Sequence, residues 1–261
     1  MGAHQPFTLP RTGHVLKNRS VLAAMTNKQS HEDGTLSDEE IKWLVRRAKD
    51  GFAMTTTAAA NVTEHGRGWD GEMGVWGDHQ LPGLTKMASQ LKETGTLSLA
   101  QIFHGGMRAP QSINGVQPVS ASKNTEDGMD GLYTRELSHD EVLEMIQSFT
   151  KAAVRCQKAG FDGVEIPLVG QSEQQLKEMA AACDSLGLER TSSAFVGLDT
   201  NPVSSDPAIR KAALENLMRA IDDANTIGST MVIGGLYQAH KYFTGTAATS
   251  DEWNWSAEHL H

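Results

Sequence analysis

Apolar segments of strand length alternate with amphipathic helical stretches along almost the whole chain, and that alternation leaves few folds open. Two strands joined through a helix pair in parallel, and such crossovers are right-handed. Six strand candidates can be read, at residues 21–25, 52–60, 96–103, 162–166, 192–198 and 230–233. Each is followed by a helix or the start of one. A doubly wound sheet and a (βα)-barrel both fit. A closed barrel of this kind has eight strand–helix units, two more than can be found. The expectation is an α/β chain of the TIM-barrel kind, incomplete, with about six parallel strands.

Helix boundaries are well signalled. Ser37 and Glu40 form a capping-box pattern, followed by Ile41, Leu44, Val45 and Ala48 on one stripe and a stop at Gly51. A helix over 84–93 stops at Gly95. Ser138 with Glu141 opens a third, with Val142, Met145, Ile146, Phe149, Ala152 and Ala153 on one face and Gly160 at its end. Ser172 with Gln175 opens a fourth, and a fifth is expected over 206–227. Residues 104–135 read as a long loop, the kind that usually serves function. The tail from Phe243 reads as polar, with Trp253 and Trp255 before a short final segment.

Composition narrows the function classes. With 261 residues, 39% hydrophobic and 21% charged, the chain can bury a large core without staples. It has no run of eighteen apolar residues, so no membrane span is expected, and residues 1–6 show no secretory signal. The net charge of -9 and the lack of a Lys/Arg cluster argue against nucleic acid. Only Cys156 and Cys183 occur, both in helical patterns, which suits buried thiols in a reducing cytoplasm. A small-molecule ligand is the expected partner, and no metal site is expected.

In parallel α/β folds, ligands meet the carboxyl ends of strands. Those ends offer Met25 and Thr26, the 58–60 alanines, Gln101 with His104, and Glu165. A hydroxyl, small residues and a carboxamide suit a flat, neutral, hydrogen-bonding ligand; the alternative is that Thr26 and Gln101 only cap strand ends. The segments Lys17-Asn18-Arg19-Ser20, Ala23-Ala24-Met25-Thr26-Asn27, Gly74-Val75-Trp76, Gln101-Ile102-Phe103-His104-Gly105-Gly106 and Gly160-Phe161-Asp162-Gly163-Val164-Glu165-Ile166 stand in that order. They resemble the Old Yellow Enzyme family, over about residues 6–166. That resemblance implies a (βα)8 barrel, FMN as cofactor, NAD(P)H as reductant and ene-reductase chemistry. It implies that Met25 and Thr26 touch the isoalloxazine, that Ala59 gives a backbone contact and that Gln101 bonds the pyrimidine edge. His104 and Glu165 are weaker candidates for substrate contact, and His104 could equally orient its loop. The resemblance assigns no catalytic residue. Where the family carries a His and then a His or Asn to hold the substrate carbonyl, this chain has Pro167 and Gly170, which lack donor side chains.

From about Gly160 onward the wording changes. Gly163 to Ile166, Ser193 to Gly197, Asn201 to Asp206, Ala208 to Ala213 and Ile233 to Tyr237 are similar to the ketose 3-epimerases of the xylose-isomerase-like barrels, over about 160–261. That family's metal-bearing last four strands have no counterpart in the chain. His240 and Lys241 could touch a sugar hydroxyl or could be loop residues. The expectation is a chimera, 1–166 joined to 167–261 in one joint fold. Three readings follow: an impaired flavin oxidoreductase, a non-catalytic scaffold, or a sugar-binding epimerase-like protein. Open barrel edges also suggest a homo-oligomer.

Overall fold

The longest strand forms where Thr and Ala run together, and it organises the first half of the chain. In the computed structural model, which describes residues 2–10, 12–125, 133–168, 170–240 and 242–261, this strand is buried at every position. Lys241 and the middle of the 104–135 loop lie outside the described residues. The principal strands are β1 (Val21–Leu22), β2 (Met54–Asn61), β3 (Leu97–Phe103), β4 (Gly163–Pro167), β5 (Glu189–Ser193) and β6 (Val232–Ile233). The helices of more than one turn are α1 (Asp38–Lys49), α2 (Leu81–Lys92), α3 (His139–Ala159), α4 (Glu173–Leu186), α5 (Pro207–Ile227) and α6 (Ser250–Leu260). The class is α/β, an incomplete barrel type with six principal parallel strands, as the alternation implies.

The chain divides into two compact units: Met1–Glu165 with Cys183–Glu189, and Ile166–Ala182 with Arg190–His261. In the first unit β1, β2, β3 and the start of β4 lie side by side, all parallel. Helices α1, α2 and α3 bury Ile41, Leu44, Leu84, Met87, Ala152 and Cys156. A short hairpin, Phe7–Thr8 against Val15–Leu16, brings Leu9 and Leu16 onto Met54, Leu97 and Leu99. Those three strand residues share one face of the sheet, so the hairpin lays an apolar floor beneath that face. Asp162 locks the foot of β4 to β3: its Oδ2 accepts from the Ser98 N–H at 2.8 Å and hydroxyl at 2.7 Å.

One helix start differs from the sequence pattern and another follows it. Ser37 caps α1, accepting from the Glu40 N–H at 3.1 Å, but Glu40 does not complete the box. Its fully buried carboxylate instead accepts from the Ser30 hydroxyl and from Asn27 Nδ2 at 3.0 Å. Two side-chain donors from the loop after β1 replace one backbone N–H. At α3 the box is complete, with Ser138 and Glu141 exchanging bonds of 3.3 and 2.8 Å. Ser138→Ala should cost about 1 kcal/mol in urea unfolding, the usual worth of an N-cap.

Only the second half of α3 buries the expected face. Val142, Leu143 and Ile146 are exposed, while Ala152, Cys156 and Ala159 are buried. Length explains this. A helix of 21 residues spans about 32 Å, whereas the seven-residue β3 spans about 23 Å, so one end overhangs.

In the second unit β5 and β6 pair in parallel, Ser192 with Val232 and Ser193 with Ile233. Asp206 caps α5 by accepting from the Ala208 N–H at 2.8 Å, and Gly228 closes it at φ +71°. In the tail, Ser250–Leu260 is a capped helix, which the sequence reading did not assign. Thr249 and Glu252 form the box, a signal that two tryptophans and a polar composition obscured. Among the described residues no helix is long and apolar enough to cross a membrane.

Candidate functional site

Parallel strands end on one rim, and three of the expected residues meet just inside it. Ala59 pairs with Gln101, and Gln101 pairs with Glu165. Strict alternation from Met54 would not place Ala59 there. Between Thr56 and Ala59, β2 has two residues where β3 has only Ala100, a one-residue bulge. The bulge turns Ala59 and Asn61 onto the face shared by Met54, Leu97 and Leu99. The row Ala59–Gln101–Glu165 therefore forms a layer above the apolar floor.

Thr57 secures the bulge. Its hydroxyl oxygen accepts the Gln101 backbone N–H at 3.2 Å and its proton goes to the Ala58 carbonyl at 2.7 Å. Thr57→Val keeps the shape and removes the acceptor in a fully buried place. We expect a loss of about 1–3 kcal/mol in urea unfolding, the cost of stranding a buried donor. A change below a few tenths would mean that the hydroxyl is dispensable.

The Gln101 side-chain Nε2 donates to Glu165 Oε1. Glu165 is 1% exposed, and its Oε2 has no hydrogen-bond partner among the described residues. Burial pushes its carboxyl above the usual range, while the Gln101 bond pulls the other way. The pair thus holds out a buried acceptor that calls for a donor.

Met25 and Thr26 leave the same rim after β1 ends at Leu22. Both are exposed, and neither hydrogen-bonds the Gln101–Glu165 pair. Glu40 secures the segment that follows them, through Asn27 and Ser30. His104 stands just beyond β3. Its Nδ1 accepts the Gly106 N–H at 2.9 Å, which leaves the ring proton on Nε2. Gly66 packs so closely that a Cβ there would lie 2.5 Å from His104 Cδ2. Burial lowers the His104 pKa to about 4, so the ring is neutral near pH 7. His104 lines a cleft of about 410 Å³ with His65, Arg135 and Met145, apart from Gln101 and Glu165.

Sequence reasoning missed Glu72. It is 1% exposed, its Oε2 accepts the Gly68 N–H at 2.6 Å, and its Oε1 has no partner among the described residues. Burial pushes its carboxyl up to about 8. A Cβ at Gly68 would lie 3.5 Å from Phe103, and Trp69 sits 5.6 Å from that ring, so this loop covers the end of β3. An acid within Gly-Trp-Asp-Gly-Glu reads as a solvated turn, and nothing in the sequence marks it as buried. Among the described residues no three His, Cys, Asp or Glu side chains converge as a metal ion would need.

Residues 4–170 match the model of the NADH:flavin oxidoreductase / NADH oxidase family. The chain belongs to that family. Residues 153–261 match a second family, the xylose isomerase-like TIM barrel. The two matches overlap across β4, where both wordings were expected to coincide. A probable NADH-dependent flavin oxidoreductase of Bacillus subtilis (strain 168) is 36% identical over 162 residues, 62% of this chain and 43% of the relative. The fold is similar to that of a 2-naphthoyl-CoA reductase, with a TM-score of 0.75 and 19% identity, covering 99% of this chain and 44% of the other. An old yellow enzyme homologue from Zymomonas mobilis superposes with a TM-score of 0.71 at 19% identity, over 92% and 77% of the two chains. The chain spans less than half the length of the curated relatives it matches.

Proposed function

We propose that the chain is a flavin-binding, NAD(P)H-dependent oxidoreductase of the ene-reductase kind, impaired at its substrate step. One observation carries this reading: the orphaned Glu165 Oε2 beside the Gln101 carboxamide, in a layer on the rim side of an apolar floor. The pyrimidine edge of an isoalloxazine alternates acceptor, donor and acceptor. Its N–H suits the Glu165 oxygen, and its carbonyls suit donors such as the Gln101 amide and the Thr26 hydroxyl. The ring edge therefore fits, with Met25, Thr26, Ala59 and Gln101 as its holders, joined by Glu165, which the sequence offered only as a weaker substrate contact, and with His104 as a weaker substrate contact. When bound, FMN would accept hydride from NAD(P)H and pass it on, chemistry that belongs to the cofactor.

The phosphate has less support. Gly234, after β6, is a glycine for another reason: a Cβ there would lie 2.0 Å from the Ala194 carbonyl oxygen. The Leu236 N–H next to it turns back to Gly234 O at 3.0 Å rather than outward. At the substrate step Pro167 offers only its carbonyl, which accepts from Gln171 at 2.9 Å, and Gly170 has no side chain. Neither can hold a substrate carbonyl through a side-chain donor, so alkene reduction should be slow.

Titration with FMN and with riboflavin tests this directly, read by visible absorbance and flavin fluorescence. We expect saturable binding of both, within about threefold of each other, because the ring supplies the affinity. Gln101→Leu should weaken both about tenfold, the worth of one good hydrogen bond at about 1.4 kcal/mol. No saturable binding by either flavin would remove the reading, and strong preference for FMN would relocate the phosphate. The reading also includes a cytoplasmic location, with small-molecule ligands and no nucleic acid, and with both cysteines buried. It keeps 1–166 and 167–261 as the two lineages, and it includes self-association through the strand edges, measurable by sedimentation.

A further inference from the structure

The second unit carries a cleft that neither family match explains. It measures about 400 Å³ and opens between the segment after β6 and the first turns of α6. Tyr237, Tyr242, Phe243 and Trp253 line it. Aromatic residues make up 6% of the chain, yet two of its three tyrosines meet in this one place. Phe243 is 84% and Trp253 70% exposed, so these rings do not serve the core. No ring pairing joins the four among the described residues, whose aromatic pairs lie elsewhere. All four side chains are exposed at the cleft.

Among the described residues, the charge lining the cleft has one sign. Glu252 is, among the described residues, the only ionisable acid or base of the lining other than the tyrosine hydroxyls. Its Oε2 is fixed by the Thr249 N–H at 2.7 Å and hydroxyl at 2.9 Å, and its Oε1 has no partner among the described residues. Those bonds also hold its carboxyl below the usual range, so it stays ionised. Among the described residues no Lys or Arg lines the cleft. Aromatic faces are the negative part of a quadrupole and attract cations. The walls are tied together: the Ser256 hydroxyl donates to Tyr237 O at 3.0 Å, and the Arg210 guanidinium lies 4.2 Å over Trp255 on the same helix.

We propose that this cleft binds a small organic cation of the quaternary ammonium class, held by the rings with Glu252 as counter-charge. A soft, weakly hydrated cation suits such walls, because it gives up little water and needs no hydrogen-bond acceptors. A neutral sugar would stack on the rings but would leave the Glu252 charge uncompensated. A protein surface would need a larger continuous apolar area than one cleft offers.

The test uses the full chain and follows tryptophan fluorescence and calorimetric heat. The probes are choline, dimethylbutanol as its uncharged isostere, and xylose. We expect saturable choline binding, about tenfold weaker binding of the isostere, and no saturation by xylose. Trp253→Ala and Tyr237→Leu should each weaken choline about tenfold, and Glu252→Gln, which keeps a capping acceptor, several-fold. Circular dichroism establishes that each variant is folded, and with two ring variants a single misfolded one leaves the test intact. Equal binding of choline and its isostere, saturation by xylose in place of choline, or unchanged affinity in both folded ring variants would overturn the proposal.

Discussion

Gly163→Ala should leave little folded protein. Gly163 lies in β4, where a Cβ would come within 2.4 Å of the Glu189 carbonyl oxygen and 2.7 Å of its carbonyl carbon and Cβ. Real Cβ atoms do not approach so closely, and two of the three neighbours are backbone. The strain is steric, because Gly163 is absent from the positive-φ glycines. The chain beside it is pinned as well, since the Glu189 N–H donates to Asp162 O at 2.9 Å while Asp162 is locked to Ser98. Neither side can yield without breaking the other's bonds. We expect a loss of about 3 kcal/mol or more, at the upper end of overpacking costs and a large part of an ordinary stability. Gly95→Ala separates the causes. It has φ +68° but no atom near a Cβ, so it should cost only about 1–2 kcal/mol. Urea midpoints and soluble yield read both. If Gly163→Ala cost no more than Gly95→Ala, the strand would be able to move, and the close fit would not hold it.

Glu72→Gln should stabilise the protein in alkali and do little in acid. The folded-state pKa of about 8 lies above the ordinary 4.5, and burial is the main cause. Between those values the folded protein keeps a proton that the unfolded chain has released. Stability from this group is therefore fully present below about pH 4.5, falls as pH rises, and is lost by about pH 8 and above. At 1.36 kcal/mol per unit, and allowing for relaxation of the loop, the loss is about 2–4 kcal/mol. Glutamine keeps an acceptor for the Gly68 N–H and has no charge to bury. Thermal midpoints of both proteins at pH 5, 7 and 9 should diverge steadily, with the variant ahead at pH 9. A constant gap across that range would show that Glu72 does not titrate as its burial implies.

Much of the fold could be read from periodicity, because strands and helices announce themselves locally. Ser138, Asp206 and Gly160 mark real helix ends, and all six strands exist near their expected places. What escaped depended on distant partners. The alternation in Met54–Asn61 gives no hint of the bulge, since a run of Thr and Ala looks alike in either phase. Glu40 looks like a capping acid and becomes a buried anchor only because Asn27 and Ser30 come to it. The exposed face at Val142 and Ile146 carries the right pattern, but a pattern cannot supply a neighbour. Gln101 and Glu165 were both named from strand ends, yet their bond required knowing that β3 and β4 pair in that register.

The hairpin at residues 7–16 has a consequence for how the molecule should be handled. Leu9 and Leu16 pack on Met54, Leu97 and Leu99, the layer beneath the Gln101–Glu165 couple. Trimming the first sixteen residues, a routine step with a short leading segment, would strip that packing away. Bulk water would then meet Met54, Leu97 and Leu99, and the support beneath the Gln101–Glu165 couple would be weakened although every rim residue remained.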